Sequence, residues 1–427
     1  MLNRAGTRLA MFGGARTVPK GHRIPAWPEV TPADEAAVLR ALHSGAFTAA
    51  AAGETEIGGL ERAWAAFVGT RECVAVSNGT AALSLALAAA GIQPDDEVIV
   101  PALSFIASAV APLHIGAVPV FVDIDPVSFN LDPAAVAAAI TPRTAAIVVV
   151  HLHGLPADMD EILELARARG IAIVEDAAQA HGAVYRGRRA GSIGLAGAFS
   201  LNVSKNLATC GEGGLVNTDD TQVHRKALAM RQFGEVVEPR TARTYVSHML
   251  GWNHKPNAIQ CAFARSQLDR LPAGIEGRDR SVRAFLARVS GLPGLVGPTV
   301  PEDRTHAWHI LRFRVDPAAF GLPPEMAGRI RAAVMRALRA EGVPAASYQL
   351  MPLPAQPMFG KTRGLAGDYP VTSQVIEDSF VLQKAHLHPD AGELLNLYAE
   401  AMAKVLDARD LLAGYAATMP YRAPWEL

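Results

Sequence analysis

Five short β-rich runs, "CVAVS", "EVIVP", "VPVFVDI", "AAIVVVHL" and "IAIVED", alternate with alanine-rich or amphipathic stretches from about residue 55 to 176. This alternation predicts an α/β fold in which a mostly parallel sheet is covered by helices. One intervening segment, "MDEILELARARG", sets Met159, Ile162, Leu163, Leu165 and Ala166 at helical spacing, and Gly170 stops the helix before the next strand. Its other face is charged and solvated.

After "NHKPNAIQCAFARSQLDRLP" the pattern changes to a long charged helix, "GIEGRDRSVRAFLARV", and then to a proline- and glycine-rich join at residues 291–301. The strand "AWHILRFRV" and the helices "AGRIRAAVMRALRAEG" and "AGELLNLYAEAMAKVLDAR" follow. We expect a large domain over residues 1–275 and a smaller C-terminal α+β domain over 276–427, as the chain length also suggests. The tail "YAATMPYRAPWEL" reads as too proline-rich for a regular element, so it is frayed or docked by its aromatics.

Charge narrows the partners. Lysine plus arginine number 40 against 41 acidic residues, a formal net charge of −1, so the chain lacks the global basic field that draws nucleic acid or anionic membrane. No apolar run reaches the roughly 18 residues that span a bilayer, and the N-terminus has no sustained apolar core of a signal peptide. Cys73, Cys210 and Cys261 are widely spaced and make no even disulfide framework, which points to the cytoplasm.

Against this background "FSLNVSKNLATCGEGG" stands out, because a single lysine, Lys205, sits in small and apolar company. Such an ammonium costs desolvation unless it is paired or neutralised. Two other stretches bear on it. In "CVAVSNGTAAL" a β-rich run ends at Ser77-Asn78-Gly79-Thr80 and a helix begins; free N–H groups there suit phosphate, although an ordinary helix cap needs no more. In "IAIVEDAAQAHG" a strand delivers Asp176 at its carboxyl end, where it caps a helix or meets a cation, with Gln179 close by. A phosphate site, a carboxylate and a lysine at one sheet edge are what pyridoxal 5′-phosphate requires. Burial would lower the lysine pKa and favour its attack on the aldehyde.

The order and spacing of "SNGTAAL", "VIVPALSFIASA", "VEDAAQAHGA", "FSLNVSKNLATCGEGG" and "LGWNHK" resemble the DegT/DnrJ/EryC1/StrS family over nearly the whole chain. "PAWP" is similar to the cyclitol and aminohydroxybenzoate branches. The resemblance implies a type I pyridoxal-phosphate fold, like that of aspartate aminotransferase. It also implies transfer of an amino group from glutamate or glutamine to a keto sugar or cyclitol in secondary metabolism.

By resemblance Lys205 is the Schiff-base lysine and the catalytic base. Asp176 partners the pyridine nitrogen, and Gln179 lies beside the phenolic oxygen. Phe105 stacks on the ring, while Gly79, Thr80 and Ser200 bind the phosphate. Asn253 reaches the phosphate of a neighbouring subunit, which implies a homodimer with shared sites.

The chain departs from the family pattern in three places expected around the substrate pocket. The loop from Asn206 to Cys210 is one residue longer, Lys255 stands for arginine, and Pro354 for histidine. Two alternatives accompany the aminotransferase reading: a pyridoxal-phosphate dehydratase or other lyase, and a cofactor-binding protein without turnover. Lys205 argues against the dehydratases that replace it by histidine. Other features read as structural. His151 and His153 in "HLHG" are expected on a strand, facing opposite sides and binding no metal together. "HLHP" repeats that spacing; Cys210 reads as a small packing residue and "YRGRRAG" as a solvated hairpin.

Overall fold

The structure, a computed structural model, describes residues 8–22, 24–49, 53–236, 244–360 and 366–425. In the first half, strands β1 (Glu72–Val76), β2 (Glu97–Pro101), β3 (Val118–Val122), β4 (Thr144–Val150) and β5 (Ala172–Asp176) occupy the five predicted runs. The hairpin β6 (Val184–Tyr185) and β7 (Arg188–Arg189) is the predicted "YRGRRAG" turn, and β8 (Ala196–Ser200) and β9 (Gly214–Thr218) flank Lys205. Seven of these strands form one sheet in the order β1-β9-β8-β5-β4-β2-β3. Only β9 is antiparallel to its neighbours; the sequence reading did not single it out, because glycines open it and Asn217 interrupts its apolar run.

Alternation along the strands shows why both faces are covered. Val98, Val100, Val148 and Val174 bury into one apolar cluster, while Ile99, Ile147, Val149 and Ile173 bury into another. Neighbouring side chains on a strand point to opposite faces, so these β-branched runs need helices on each side. The helices are α1 (Pro32–Ser44), α2 (Glu56–Val68), α3 (Gly79–Ala89), α4 (Ala107–Leu113), α5 (Pro133–Ala139), α6 (Met159–Arg167), α7 (Thr221–Arg231) and α8 (Ala258–Leu268). Helix α6 buries Met159, Ile162 and Ala166 and ends as expected, with Gly170 in the left-handed conformation and the Ile171 amide on the Ala166 carbonyl at 3.0 Å.

Helix α9 (Leu271–Val289) leads to a three-stranded antiparallel sheet, β10 (Leu295–Val296), β11 (Ile310–Val315) and β12 (Ser379–Gln383). Helices α10 (Ala327–Glu341), α11 (Pro370–Asp378), α12 (Gly392–Asp407) and α13 (Arg409–Thr418) accompany it. Its core gathers Phe285, Trp308, Phe313, Phe380, Tyr398 and Met402, together with Leu9 and Val18 from the chain start. The Glu341 carboxylate ties that first segment down by accepting from the Ala10 amide at 2.8 Å, the Thr17 amide and hydroxyl, and Lys404 Nζ at 2.9 Å.

Two expectations need correction here. The tail is not irregular throughout: α13 continues to Thr418 because Tyr415, Ala416 and Thr418 precede the first proline, and Tyr421 then docks against Glu377 and Arg329. Nor are His151 and His153 on a strand. The sheet ends at Val150, and His153 sits in a 3-10 turn with φ +60°. No histidine, cysteine or acidic cluster among the described residues could hold a metal.

Candidate active site

Strands β1, β2, β4, β5 and β8 run the same way, so their carboxyl ends share one edge, where open α/β sheets take ligands. A cleft of about 730 Å³ opens there. Gly79, Thr80, Phe105, Asp176, Gln179, Ser200 and Lys205 all line it.

One end is a cup of free backbone amides. Asn78 caps α3 by accepting the Ala81 amide at 2.8 Å, so the Gly79 and Thr80 amides remain as the first-turn donors that a helix cannot satisfy internally. Ser200, at the end of β8, presses on this turn: a Cβ at position 79 would meet its Cβ at 2.6 Å. Glycine is therefore required for the close approach of helix start and strand end.

Asp176 terminates β5 between β4 and β8. Its carboxylate is fixed by the Ser108 hydroxyl at 2.7 Å and the Ala178 amide at 3.2 Å, and Ser108 is in turn 2.8 Å from Ser104. The preceding Glu175 points into the sheet and is wholly buried, accepting from the amides of Gly191, Ile193 and Gly194 and from His151 at 2.9 Å. Burial raises its pKa, but those donors outweigh it and hold the carboxyl below the usual glutamate value. His151 thus helps to fix the strand end.

Lys205 follows β8 on a loop pinned by the Leu201 amide to Gly213, the Thr209 amide to Leu201 and Asn206 Nδ2 to Ala307. Burial lowers its amine pKa; the charges of Asp176 and Glu212 pull it back only partly. Gln179 is held by the His153 amide on its Oε1 at 2.7 Å, and its Nε2 faces the Tyr348 hydroxyl at 3.4 Å. Phe105 is 55% exposed on the cleft wall. A lysine of lowered pKa, a fixed carboxylate and a cup of free amides suit the amine-reactive aldehyde, ring nitrogen and phosphate of pyridoxal phosphate.

The DegT/DnrJ/EryC1/StrS aminotransferase family model matches residues 28–391. The chain belongs to this family. A UDP-N-acetyl-3-dehydro-α-D-glucosamine 3-aminotransferase of Acidithiobacillus ferrooxidans is 40% identical over 306 residues, 72% of this chain and 76% of that protein. An L-glutamine:scyllo-inosose aminotransferase of Streptomyces griseus is 40% identical over 328 residues, 74% and 76% of the two chains. Among solved structures, Spr1654 of Streptococcus pneumoniae in its PMP form aligns with TM-score 0.77 and 26% identity, covering 90% of this chain and 99% of that one. The fold is that of the pyridoxal-phosphate aminotransferases.

Several expected features of this aminotransferase lie elsewhere. Asn253 is exposed outside the cleft of its own chain, hydrogen-bonded by Lys255, whose ammonium also lies 4.2 Å from the Phe233 ring centre. Neither Lys255 nor Pro354 lines the cleft, so these departures do not surround this chain's pocket as expected. The longer loop packs inward, with residues 206–209 buried, and Cys210 is exposed and not a packing residue.

Trp27, His309, Tyr348 and Lys384 also line the cleft and were not foreseen. They arrive from the chain start and the second sheet. Trp27 lies in the "PAWP" noted above for its resemblance, and Lys384 is a lone lysine in "FVLQKAHL", the same anomaly that marks Lys205.

Proposed function

We propose that this aminotransferase binds pyridoxal 5′-phosphate on Lys205 and moves an amino group from glutamine or glutamate to a ring ketone, a keto sugar or cyclitol. The observation that carries the reading is Lys205 with its lowered pKa, sharing one sheet edge with Asp176 and the Gly79 helix start. The names of the A. ferrooxidans and S. griseus relatives support the acceptor class and the latter supports the donor.

The Gly79 and Thr80 amides and the Ser200 hydroxyl hold the phosphate. Asp176 would face the ring nitrogen, and the Ser108 hydroxyl holds its carboxylate in place. Gln179 meets the phenolic oxygen, and Phe105 covers a ring face. When bound, the cofactor supplies an electron sink for the carbon that loses a proton. The Lys205 amine would be the base that takes the proton from the donor α-carbon and holds it at Nζ for return. The lowered pKa keeps that amine available as a base.

The working molecule in this reading is a homodimer, with Asn253 completing the partner's phosphate site. Support comes from the surface beside it, where Leu250 is 81% and Tyr245 73% exposed, apolar area that a second copy would cover. The cytoplasm suits the three free thiols. No helix among the described residues is long and apolar enough to cross a membrane.

The holoenzyme supplied with L-glutamine and a panel of scyllo-inosose, nucleotide-linked keto sugars and simple 2-oxo acids tests the reading. We expect an amine formed from a ring ketone, with 2-oxo acid released from the donor. Amination of 2-oxo acids alone, or loss of water from the ring without nitrogen gain, would contradict it.

A further inference from the structure

The cleft is lined by two cationic side chains of this chain's described residues, Lys205 and Lys384. Lys384 opens the turn after β12 and reaches across from the second sheet. It is 5% exposed, its Nζ donates to the Lys205 carbonyl oxygen, and the ammonium lies 3.9 Å from the Trp27 ring centre. Trp27 Nε1 donates to the same carbonyl at 3.1 Å. Arg278, 1% exposed, faces the same indole at 5.4 Å; its Nε serves the Leu387 carbonyl and its Nη2 has no protein partner.

Among the described residues no carboxylate pairs with Lys384 or Arg278. Burial, with Arg278 and Lys205 close by, lowers the Lys384 pKa well below the ordinary amine value, so an anion entering the cleft would favour its charged form. An ammonium has three donors on a flexible four-carbon stem. One carbonyl and one indole leave capacity for an anion entering the cleft. The neighbours agree: His309, also on the wall, is buried and kept neutral, and Asp176 and Glu212 lie toward Lys205.

We infer that Lys384, backed by Trp27 and Arg278, is the anchor for the carboxylate of the amino donor. The inference rests on the amino-transfer reading for its ligand: every amino-acid donor brings a carboxylate into this cleft, and once Lys205 takes part in the chemistry, Lys384 is the other lysine lining it among the described residues. Because Lys384 bonds to the backbone carbonyl of Lys205, the carboxylate would be held against the loop that carries the reacting lysine, in the same cleft. Lys384 is a positioning residue in this account, with no proton transfer assigned to it.

The test compares the parent holoenzyme with Lys384→Met, which keeps the stem but removes the charge, and Lys384→Arg, which restores a cation. In the donor half-reaction, followed by the cofactor's absorbance, Lys384→Met should raise the half-saturating L-glutamine roughly ten- to a hundredfold. The limiting rate should change much less, and Lys384→Arg should recover most of the loss. Calorimetric binding of glutarate, which needs no turnover, should weaken by a similar factor and decides the anchor even if amino transfer itself failed. Pyrophosphate, a stand-in for a nucleotide sugar's diphosphate, should bind all three proteins alike.

Unchanged L-glutamine saturation and glutarate binding in Lys384→Met would overturn the assignment. So would pyrophosphate binding that depends on Lys384 while glutarate binding does not. Loss of the cofactor in both variants would likewise make the residue structural.

Discussion

Replacing Lys205 by alanine separates its chemistry from its packing. Lys205→Ala should fold, since the loop is held by the Asn206 and Thr209 hydrogen bonds, but borohydride should no longer fix cofactor to the protein. In the parent, peptide mapping after reduction should find it on Lys205; attachment at Lys226, Lys255 or Lys384 would show the assignment wrong. Asp176→Asn should retain cofactor yet slow the donor half-reaction roughly a hundredfold or more, because a few kcal/mol of charge pairing is lost. Near-parent kinetics would remove Asp176 from this role. Both residues were legible in the sequence because each breaks a local rule, a lysine among apolar neighbours and an acid ending a buried strand. Tyr348 and Trp27 break none. They reach the cleft through tertiary contacts of high sequence separation, to which periodicity and local spacing are blind.

Elements explain why the cup has its shape. Gly79→Ala should leave the sheet intact while forcing α3 and β8 apart, since the new Cβ meets the Ser200 backbone Cα at 3.0 Å as well as its side chain. We expect cofactor affinity to fall about tenfold or more, measured by spectroscopic titration of the apoprotein, with far-ultraviolet circular dichroism unchanged. Another element-scale device is the Glu341 clamp between α10, α12 and the first segment. Burial alone would raise the Glu341 pKa, but the Ala10 amide, Lys404 and Thr17 hold it below the usual value. A carboxyl lowered in the folded state contributes stability that is fully present above its unfolded pKa and lost as pH falls through the folded one. Denaturant titrations should therefore show the parent weakening below about pH 4.5. Glu341→Gln should lose roughly 1.5–3 kcal/mol at neutral pH and show a flatter acid limb. The parallel strands and α6 were readable from β-branched runs and helical spacing. The order of strands was not, and β9 escaped because its role is set by its neighbours β1 and β8 and not by its own composition.

For the whole molecule the question is whether one chain suffices. Asn253 lies outside its own cleft in the stretch "LGWNHKP", where Trp252 stacks on His254 at 5.6 Å and the Trp252 amide bonds Met230 at 2.7 Å, leaving the asparagine exposed. If two copies share sites, Lys205→Ala and Asn253→Asp, each inactive alone, should regain activity when subunits exchange, since one hybrid site carries neither lesion. Exchange proven by mass spectrometry with activity still absent would leave each chain with a complete site of its own. The central claim, that this cleft takes an amino group onto its cofactor through Lys205, is tested most directly by isotope. The holoenzyme is mixed with L-glutamine labelled with nitrogen-15 at the α-position and denatured after one turnover, and the released cofactor is weighed. The account predicts labelled pyridoxamine phosphate at one equivalent per chain in the parent and a trace at most in Lys205→Ala. Unlabelled pyridoxal phosphate recovered from both proteins would contradict it.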